Sequence, residues 1–291
     1  VKTDGSRARR VERQPTARVA VGRPGLGVER SLWRAGHQWV AGVDEVGRGA
    51  WAGPLSVGVA VIHPGVRLRS MPRWLRDSKA LAEERREAVF GPVARWCADA
   101  AVGHAMADEC DRYGMTFAWR LAAYRALAAL EVVPDAIVID GPHDLLRGAS
   151  RGVPQDTREA GMLEERPIED PPTAEVEGSD EFQGTDEGRQ SGVPSAALVR
   201  ERPELPFAVI PETVLTVVDG DAKCAAVAAA SVLAKVVRDR AMRAEAEHFP
   251  PYGFDRNKGY PSTRHQIALR GYGLSAIHRR SWAYVAGLPL G

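Results

Sequence analysis

Asp44 and Glu45 stand side by side at the end of an apolar run, Trp39-Val40-Ala41-Gly42-Val43, and Gly47-Arg48-Gly49 follows almost at once. The run reads as a buried strand. Two carboxylates at a buried strand end are costly unless a cation neutralises them, and oxygen donors of this kind suit Mg²⁺ or Mn²⁺. The glycines flanking Arg48 let the main chain approach a ligand closely and hold the guanidinium between them as a phosphate-directed donor. A β-turn with solvated charges would use the same residue types, so the pair must be weighed with other acids of the chain. Asp140 ends the run Ile137-Val138-Ile139, and Asp221, in Asp219-Gly220-Asp221, lies between a strand and a long helix. Strand ends on one edge of a sheet converge in space. Carboxylates gathered there repel one another unless cations bridge them, which is the requirement of two-metal phosphoryl transfer. Taken singly, Asp221 reads equally well as a helix N-cap and Asp140-Gly141 as a turn.

The elements that must position these acids follow from periodicity. Gln38 to Ile62 predicts two strands paired as an antiparallel hairpin. Leu81 to Ala98 predicts a helix with Val89, Val93 and Trp96 on one face; Ala100 to Ala107 a strand; Thr116 to Leu130 a second helix. Phe207 to Ile210 and Val214 to Val218 read as strands, Ala222 to His248 as the longest helix, ended by Pro250-Pro251, and Thr263 to Gly271 as a last one. Strands alternating with helices predict an α/β sheet with helices on its faces.

Residues 1–35 are rich in Arg, Gly and Pro without periodicity and read as a disordered basic tail. The domain that follows, 36–291, is interrupted at about 144–205 by a segment with the composition of a disordered acidic insertion. Between Asp156 and Glu187 twelve acids face two arginines, a balance of −10, so with a net charge of +1 the rest of the chain carries +11. A basic body points to a polyanionic partner. No run of 18 apolar residues exists and no signal-peptide-like stretch follows the N-terminal arginines, so a membrane span and export are not expected. Three scattered cysteines predict no disulfide framework and fit a reducing, cytoplasmic setting.

Taken together, the motifs resemble the type II ribonuclease H family. Asp44-Glu45-Val46-Gly47-Arg48-Gly49 resembles its opening motif, Asp77-Ser78-Lys79-Ala80-Leu81 its next, and Ile137 to Gly141 its third-carboxylate strand. Ala228 to Asp239 is similar to its signature helix, and Gly259-Tyr260-Pro261-Ser262-Thr263, Gly271-Tyr272-Gly273 and His278-Arg279 to its C-terminal end. The resemblance implies a ribonuclease H-like fold, a five-stranded mixed sheet flanked by helices with a helical C-terminal segment. It implies cleavage of RNA in RNA–DNA hybrids and incision 5′ of ribonucleotides in duplex DNA, leaving 3′-OH and 5′-phosphate ends, with a role in ribonucleotide removal and primer RNA degradation. By the same resemblance Asp44, Glu45, Asp140 and Asp221 would be catalytic ligands of two Mg²⁺ or Mn²⁺ ions. Gly47, Arg48 and Gly49 would contact the 2′-OH and adjacent phosphate, and Tyr260 the sugar of the next deoxynucleotide. Ser78, Lys79 and Lys235, with Arg238, Lys258 and Arg279, would line the backbone track. Asp239 reads as a structural partner for a cation, and His265 and His278 as hydrogen-bonded structural histidines. A monomer is expected.

Two departures from the family pattern stand out. Asp219 occupies a place where lysine is usual, which leaves the fourth acid between Asp219 and Asp221; Asp221 is preferred because it abuts the helix. The acidic insertion is the other, and it is expected to hang away from a polyanionic substrate. Among rivals, the type III relative would carry lysine at Arg48 and a folded N-terminal domain. Another nuclease of the same fold acting on DNA junctions would lack the Gly-Arg-Gly and Gly-Tyr pair. A hybrid-binding module would need a spoiled acid set, and all four acids are present.

Overall fold

The computed structural model describes residues 23–66, 70–73, 75, 82–147, 205–282 and 285. Five strands form one sheet in the order β3-β2-β1-β4-β5. β1 (Val40–Val46) and β2 (Leu55–Ile62) pair antiparallel, as do β2 and β3 (Asp99–Ala105), so the first three strands form a meander. β4 (Ala136–Asp140) and β5 (Thr213–Val217) run parallel to β1 and extend the sheet on its other side. The sheet is therefore mixed, as expected. β2 is buried along its whole length and β1 for its first five residues, which is why both read as continuous apolar runs rather than alternating ones.

Helices cover both faces. On one, α4 (Met115–Ala128) packs Trp119, Leu121, Ala122 and Ala126 against Val43, Val57 and Val59. On the other, α6 (Ala225–His248) and α2 (Glu83–Trp96) pack against Ala60 and Ile62. The approach of α6 is unusually close because glycine meets alanine there. A Cβ added at Gly42 of β1 would run into the Ala226–Val227 backbone, and one at Gly58 of β2 would reach the carbonyl of Ala230. No larger side chain separates the helix from the strands.

Alanine favours the α6 helix intrinsically, but its N-cap residue, Cys224, makes no side-chain cap hydrogen bond. The missing acceptor comes from far away in sequence. Glu29, on α1 (Gly27–Arg34), is fully buried and its Oε1 accepts from the Ala226 amide at 2.9 Å. A carboxylate at a helix N-terminus also complements the helix dipole. Main-chain bonds from Gly25 N to the Lys223 carbonyl and from Ala225 N to the Gly25 carbonyl lock the same junction.

α1 corrects the expectation of a loose tail up to residue 35: Leu26 and Leu32 are buried, and the packed body begins within that stretch, while residues 1–22 lie outside the described ones. A short helix, α3 (Ala107–Tyr113), was not foreseen; the Met106 amide donates to Glu109 at its start. Residues 207–210 form no strand, since only Thr213–Val217 finds the open edge of β4. The long helix is broken at Cys224, whose extended backbone separates a short α5 (Gly220–Lys223) from α6. A 3-10 turn (Pro250–Tyr252), α7 (Phe254–Asn257) and α8 (Thr263–Tyr272) make up the C-terminal part. Most of the acidic insertion, 148–204, lies outside the described residues, although Leu146 at its expected start is fully buried. Among the described residues no helix is long and apolar enough to cross a membrane.

The capping role of Glu29 makes a prediction. Glu29→Ala should lower stability by about 1–3 kcal/mol, because it strips a buried helix end of its acceptor. Glu29→Gln should cost clearly less, since an amide oxygen still accepts. Urea unfolding of the two variants beside the parent checks both.

Candidate active site

Successive residues of a strand face opposite sides of the sheet, and this splits the leading acid pair. Gly42 faces α6, so Asp44, two residues on, shares that face; Glu45 takes the side of α4. Asp44 is only 5% exposed and is hydrogen-bonded by the Ser231 side chain of α6. Glu45 is half-buried and its Oε2 accepts from the Trp119 indole at 3.2 Å. Each acid is thus oriented by the helix that covers its own face. Trp119 and Ser231 were given no role by the sequence reading. The signals for Ser231 were its place in the segment resembling the signature helix and a lone hydroxyl within an alanine-rich stretch; for Trp119 there was none.

Asp140 ends β4, beside β1, and its Oδ1 accepts from the Gly220 amide at 2.6 Å. That bond draws the start of α5, and with it Asp221, towards the strand ends. Asp221 is 6% exposed, and its charge reaches Asp44 together with those of Glu45 and Asp140. Burial pushes the Asp44 carboxyl up to about 8, opposed by the Ser231 hydrogen bond and reinforced by these three like charges. Asp219 points elsewhere. It is in the left-handed region (φ 55°), its side chain is 73% exposed, and it lies 3.7 Å from the Lys223 ammonium. The geometry therefore separates the two candidates for the fourth acid and turns Asp221 inward.

Among the described residues no three His, Cys, Asp or Glu side chains are arranged as a ready metal cage. The carboxylates instead lean on N–H and O–H donors of the protein. The donor chemistry nonetheless fits a hard divalent cation: the candidate donors are all oxygen, and a nearby positive charge would offset the burial and the like charges that hold a proton on Asp44.

The Gly-Arg-Gly turn lies beside these acids. Gly47 has φ +86°, and a Cβ there would strike the Arg238 guanidinium. The Gly47 amide donates to the Tyr260 hydroxyl at 3.1 Å, so Tyr260 is brought to the turn although it comes from the C-terminal part. Arg48 is exposed, its guanidinium 3.7 Å from Glu45. Gly49 is exposed as well.

Three expected phosphate contacts are corrected. Arg238 and Arg279 are fully buried and Lys258 is nearly so. Arg238 donates to the carbonyls of Pro54, Ala52 and Lys258, Arg279 to those of Gly53 and Arg48, and Lys258 pairs with Glu83. These cations hold loops together; burial leaves them no backbone track to line. Lys235 is half-buried and paired with Asp239, which also takes Arg86 at 3.4 Å. Asp239 thus has the structural place expected of it. Ser78 and Lys79 lie outside the described residues.

His265 and His278 form a closed relay. The Ser275 amide donates to His278 Nδ1 at 2.9 Å, which puts the His278 proton on Nε2. That nitrogen lies 2.9 Å from His265 Nε2, whose ring then donates from Nδ1 to the Tyr260 carbonyl at 3.0 Å. The relay works only with both rings neutral, and burial followed by repulsion from His265 lowers His278 to about 4.

The ribonuclease HII family model matches residues 41–154 and 190–285. The chain is 41% identical over 267 residues to ribonuclease HII of Streptomyces griseus, covering 90% of this chain and 85% of that protein. It is 39% identical over 263 residues to the Streptomyces avermitilis enzyme of the same name, covering 90% and 84%. The crystal structure of ribonuclease H2 from Pyrococcus horikoshii superimposes with a TM-score of 0.57 at 24% identity, covering 85% of this chain and 95% of that one, a likeness of fold.

Two pH effects follow. An Asp44 carboxyl raised above its usual 3.8 makes the native state hold its proton more tightly than the unfolded chain, so stability should fall as pH rises from about 4 to 8. Asp44→Asn should flatten that slope and raise the melting temperature at pH 9 in chelator. The histidine relay acts in the opposite sense, because a lowered His278 makes the unfolded chain the better proton acceptor below 6.5. Stability from this group should be lost as pH falls from 6.5 towards 4, and His278→Asn should remove the loss from thermal melts in that window.

Proposed function

The chain belongs to the ribonuclease HII family, and on that premise we propose that it is a metal-dependent endoribonuclease. It cuts RNA in RNA–DNA hybrids and incises duplex DNA 5′ of embedded ribonucleotides, leaving 3′-OH and 5′-phosphate ends. The observation that carries this reading is the burial of Asp44 within the field of three further carboxylates, an arrangement that neutral pH and low dielectric disfavour unless cations share it.

Asp44, Glu45, Asp140 and Asp221 would hold two divalent cations. Bound there, Mg²⁺ or Mn²⁺ supplies a nucleophilic water at neutral pH and positive charge for the leaving 3′ oxygen. The chain's own residues do the rest. Ser231, Trp119 and the Gly220 amide keep Asp44, Glu45 and Asp140 in place, so little reorganisation is needed when substrate arrives. Main-chain groups of Gly47 and Gly49 read the 2′-OH, the group that distinguishes RNA from DNA, and the exposed Arg48 guanidinium reaches the adjacent phosphate. The Tyr260 ring, anchored through its hydroxyl to Gly47, packs on the sugar of the following deoxynucleotide. Ser78 and Lys79 add phosphate contacts. Lys235, committed to Asp239, is left out of this set.

Removal of ribonucleotides and primer RNA from DNA is the role this substrate class implies, and we propose that a monomer performs it in the cytoplasm.

A DNA duplex carrying one ribonucleotide tests the reading. With Mg²⁺ or Mn²⁺ the protein should incise on the 5′ side of the ribonucleotide, chelator should abolish the reaction, and Asp44→Asn should slow it by more than about 10³-fold. Gel analysis of the ends decides the polarity. Incision on the 3′ side, or cleavage that survives both chelator and Asp44→Asn, would refute it.

A further inference from the structure

Arg238 has chemistry that the proposed reaction does not use. It sits in the middle of α6, fully buried, with its guanidinium between two loops. Nε donates to the Pro54 carbonyl at 2.8 Å and Nη2 to that of Ala52 at 3.2 Å, both in the segment that continues the Gly-Arg-Gly turn. Nη1 donates to the Lys258 carbonyl at 2.9 Å, two residues before Tyr260, and the guanidinium carbon lies 5.5 Å from the Tyr260 ring centroid. A Cβ at Gly47 would strike the same guanidinium, so the turn passes it with no room for a side chain. The main chain between the loops is laced as well, from Trp51 N to the Gly259 carbonyl at 2.8 Å. Arg279 repeats the pattern on the outer side, holding Gly53 and Arg48 carbonyls.

We infer that Arg238 is a positioning residue for substrate selection: its planar fork fixes the spacing between the turn that reads a ribose 2′-OH and the tyrosine that reads the next sugar. The inference rests on the function proposed above. Recognition of a ribonucleotide followed by a deoxynucleotide needs both readers at one fixed separation, whereas a continuous RNA strand offers a 2′-OH at every register. A guanidinium can satisfy three diverging carbonyls in one plane; an ammonium on a flexible stem cannot hold them in that geometry. Loss of the fork should therefore loosen the pair of readers without touching the acids.

Arg238→Lys keeps the charge and removes the fork. On a duplex with a single ribonucleotide its kcat should fall about tenfold with KM changed less than about threefold, while cleavage of a long hybrid falls less than about threefold. Amide hydrogen exchange in residues 47–54 and 258–262 should quicken by about tenfold, with 55–62 unchanged. Leu127→Ala, a cavity in the core under α4, supplies a variant of lowered stability in which neither the substrate ratio nor the loop exchange moves. Tyr260→Phe, which removes only the acceptor of the Gly47 amide, should shift the substrate ratio in the same direction and serves if Arg238→Lys does not fold. Equal loss on both substrates in both variants overturns the inference, as does unchanged loop exchange in Arg238→Lys. A parent protein that cuts hybrids but never single ribonucleotides overturns the selection role together with the reading beneath it, and the exchange measurement still shows whether Arg238 joins the loops.

Discussion

The close seating of α6 on the sheet is the constraint from which the site follows. Gly42 and Gly58, on neighbouring strands, present bare backbone to Ala226, Ala230 and Ala234 of the helix. With ordinary side chains between them, the helix would stand off by the thickness of those groups. A serine hydroxyl is short, and Ser231 reaches Asp44 because nothing holds its helix away. Arg238, two turns further on, reaches the carbonyls beyond the Gly-Arg-Gly turn for the same reason. One packing choice therefore sets the orientation of an acid and the anchoring of a loop.

Two of the buried acids, Glu29 and Asp44, are treated differently. Glu29 meets main-chain N–H groups at the positive end of a helix, where an oxygen acceptor is needed. Asp44 meets the Ser231 hydroxyl, the Glu45 amide at 2.7 Å and three like charges. Burial raises both carboxyls, but at Glu29 main-chain N–H donors and the Arg30 charge oppose it, whereas at Asp44 three like charges add to it. Such a division is expected where a site needs a group that the fold alone would avoid.

Much of this was legible in the sequence because burial writes itself as apolar runs. β1, β2 and β4 each read as such a run, and the acids that end β1 and β4 were visible as interruptions at strand ends. That Asp221 is buried and Asp219 exposed was legible too, since the residue next to a helix start points with the helix. The direction of long cationic side chains was not. Arg238, Arg279 and Lys258 look like phosphate contacts in a basic chain, and only the fold shows that carbonyls already claim the arginines and the Glu83 carboxylate the lysine. Glu29 was missed for the converse reason: a lone glutamate in a short amphipathic stretch reads as a solvated charge, and the helix end it caps is 197 residues away. Partners so distant leave no local pattern. Trp119 was hidden within an apolar helix, where an indole is unremarked until its N–H finds an acid.

The strand order carries a consequence for assembly of the chain in time. β1 and β2 are joined by a short connection and can pair early, whereas β3 follows α2 and must close a longer loop onto β2. β5, α5 and α6 lie late in the chain and must be added to a meander that already carries Asp44 and Glu45. Until α6 docks, Gly42 and Gly58 leave a strip of backbone uncovered on the central strands, and the leading acids face water without their partners. Synthesis from the N-terminus delivers Asp44 and Glu45 well before Asp221, so a chain that has not yet reached α5 lacks the fourth acid of the cluster.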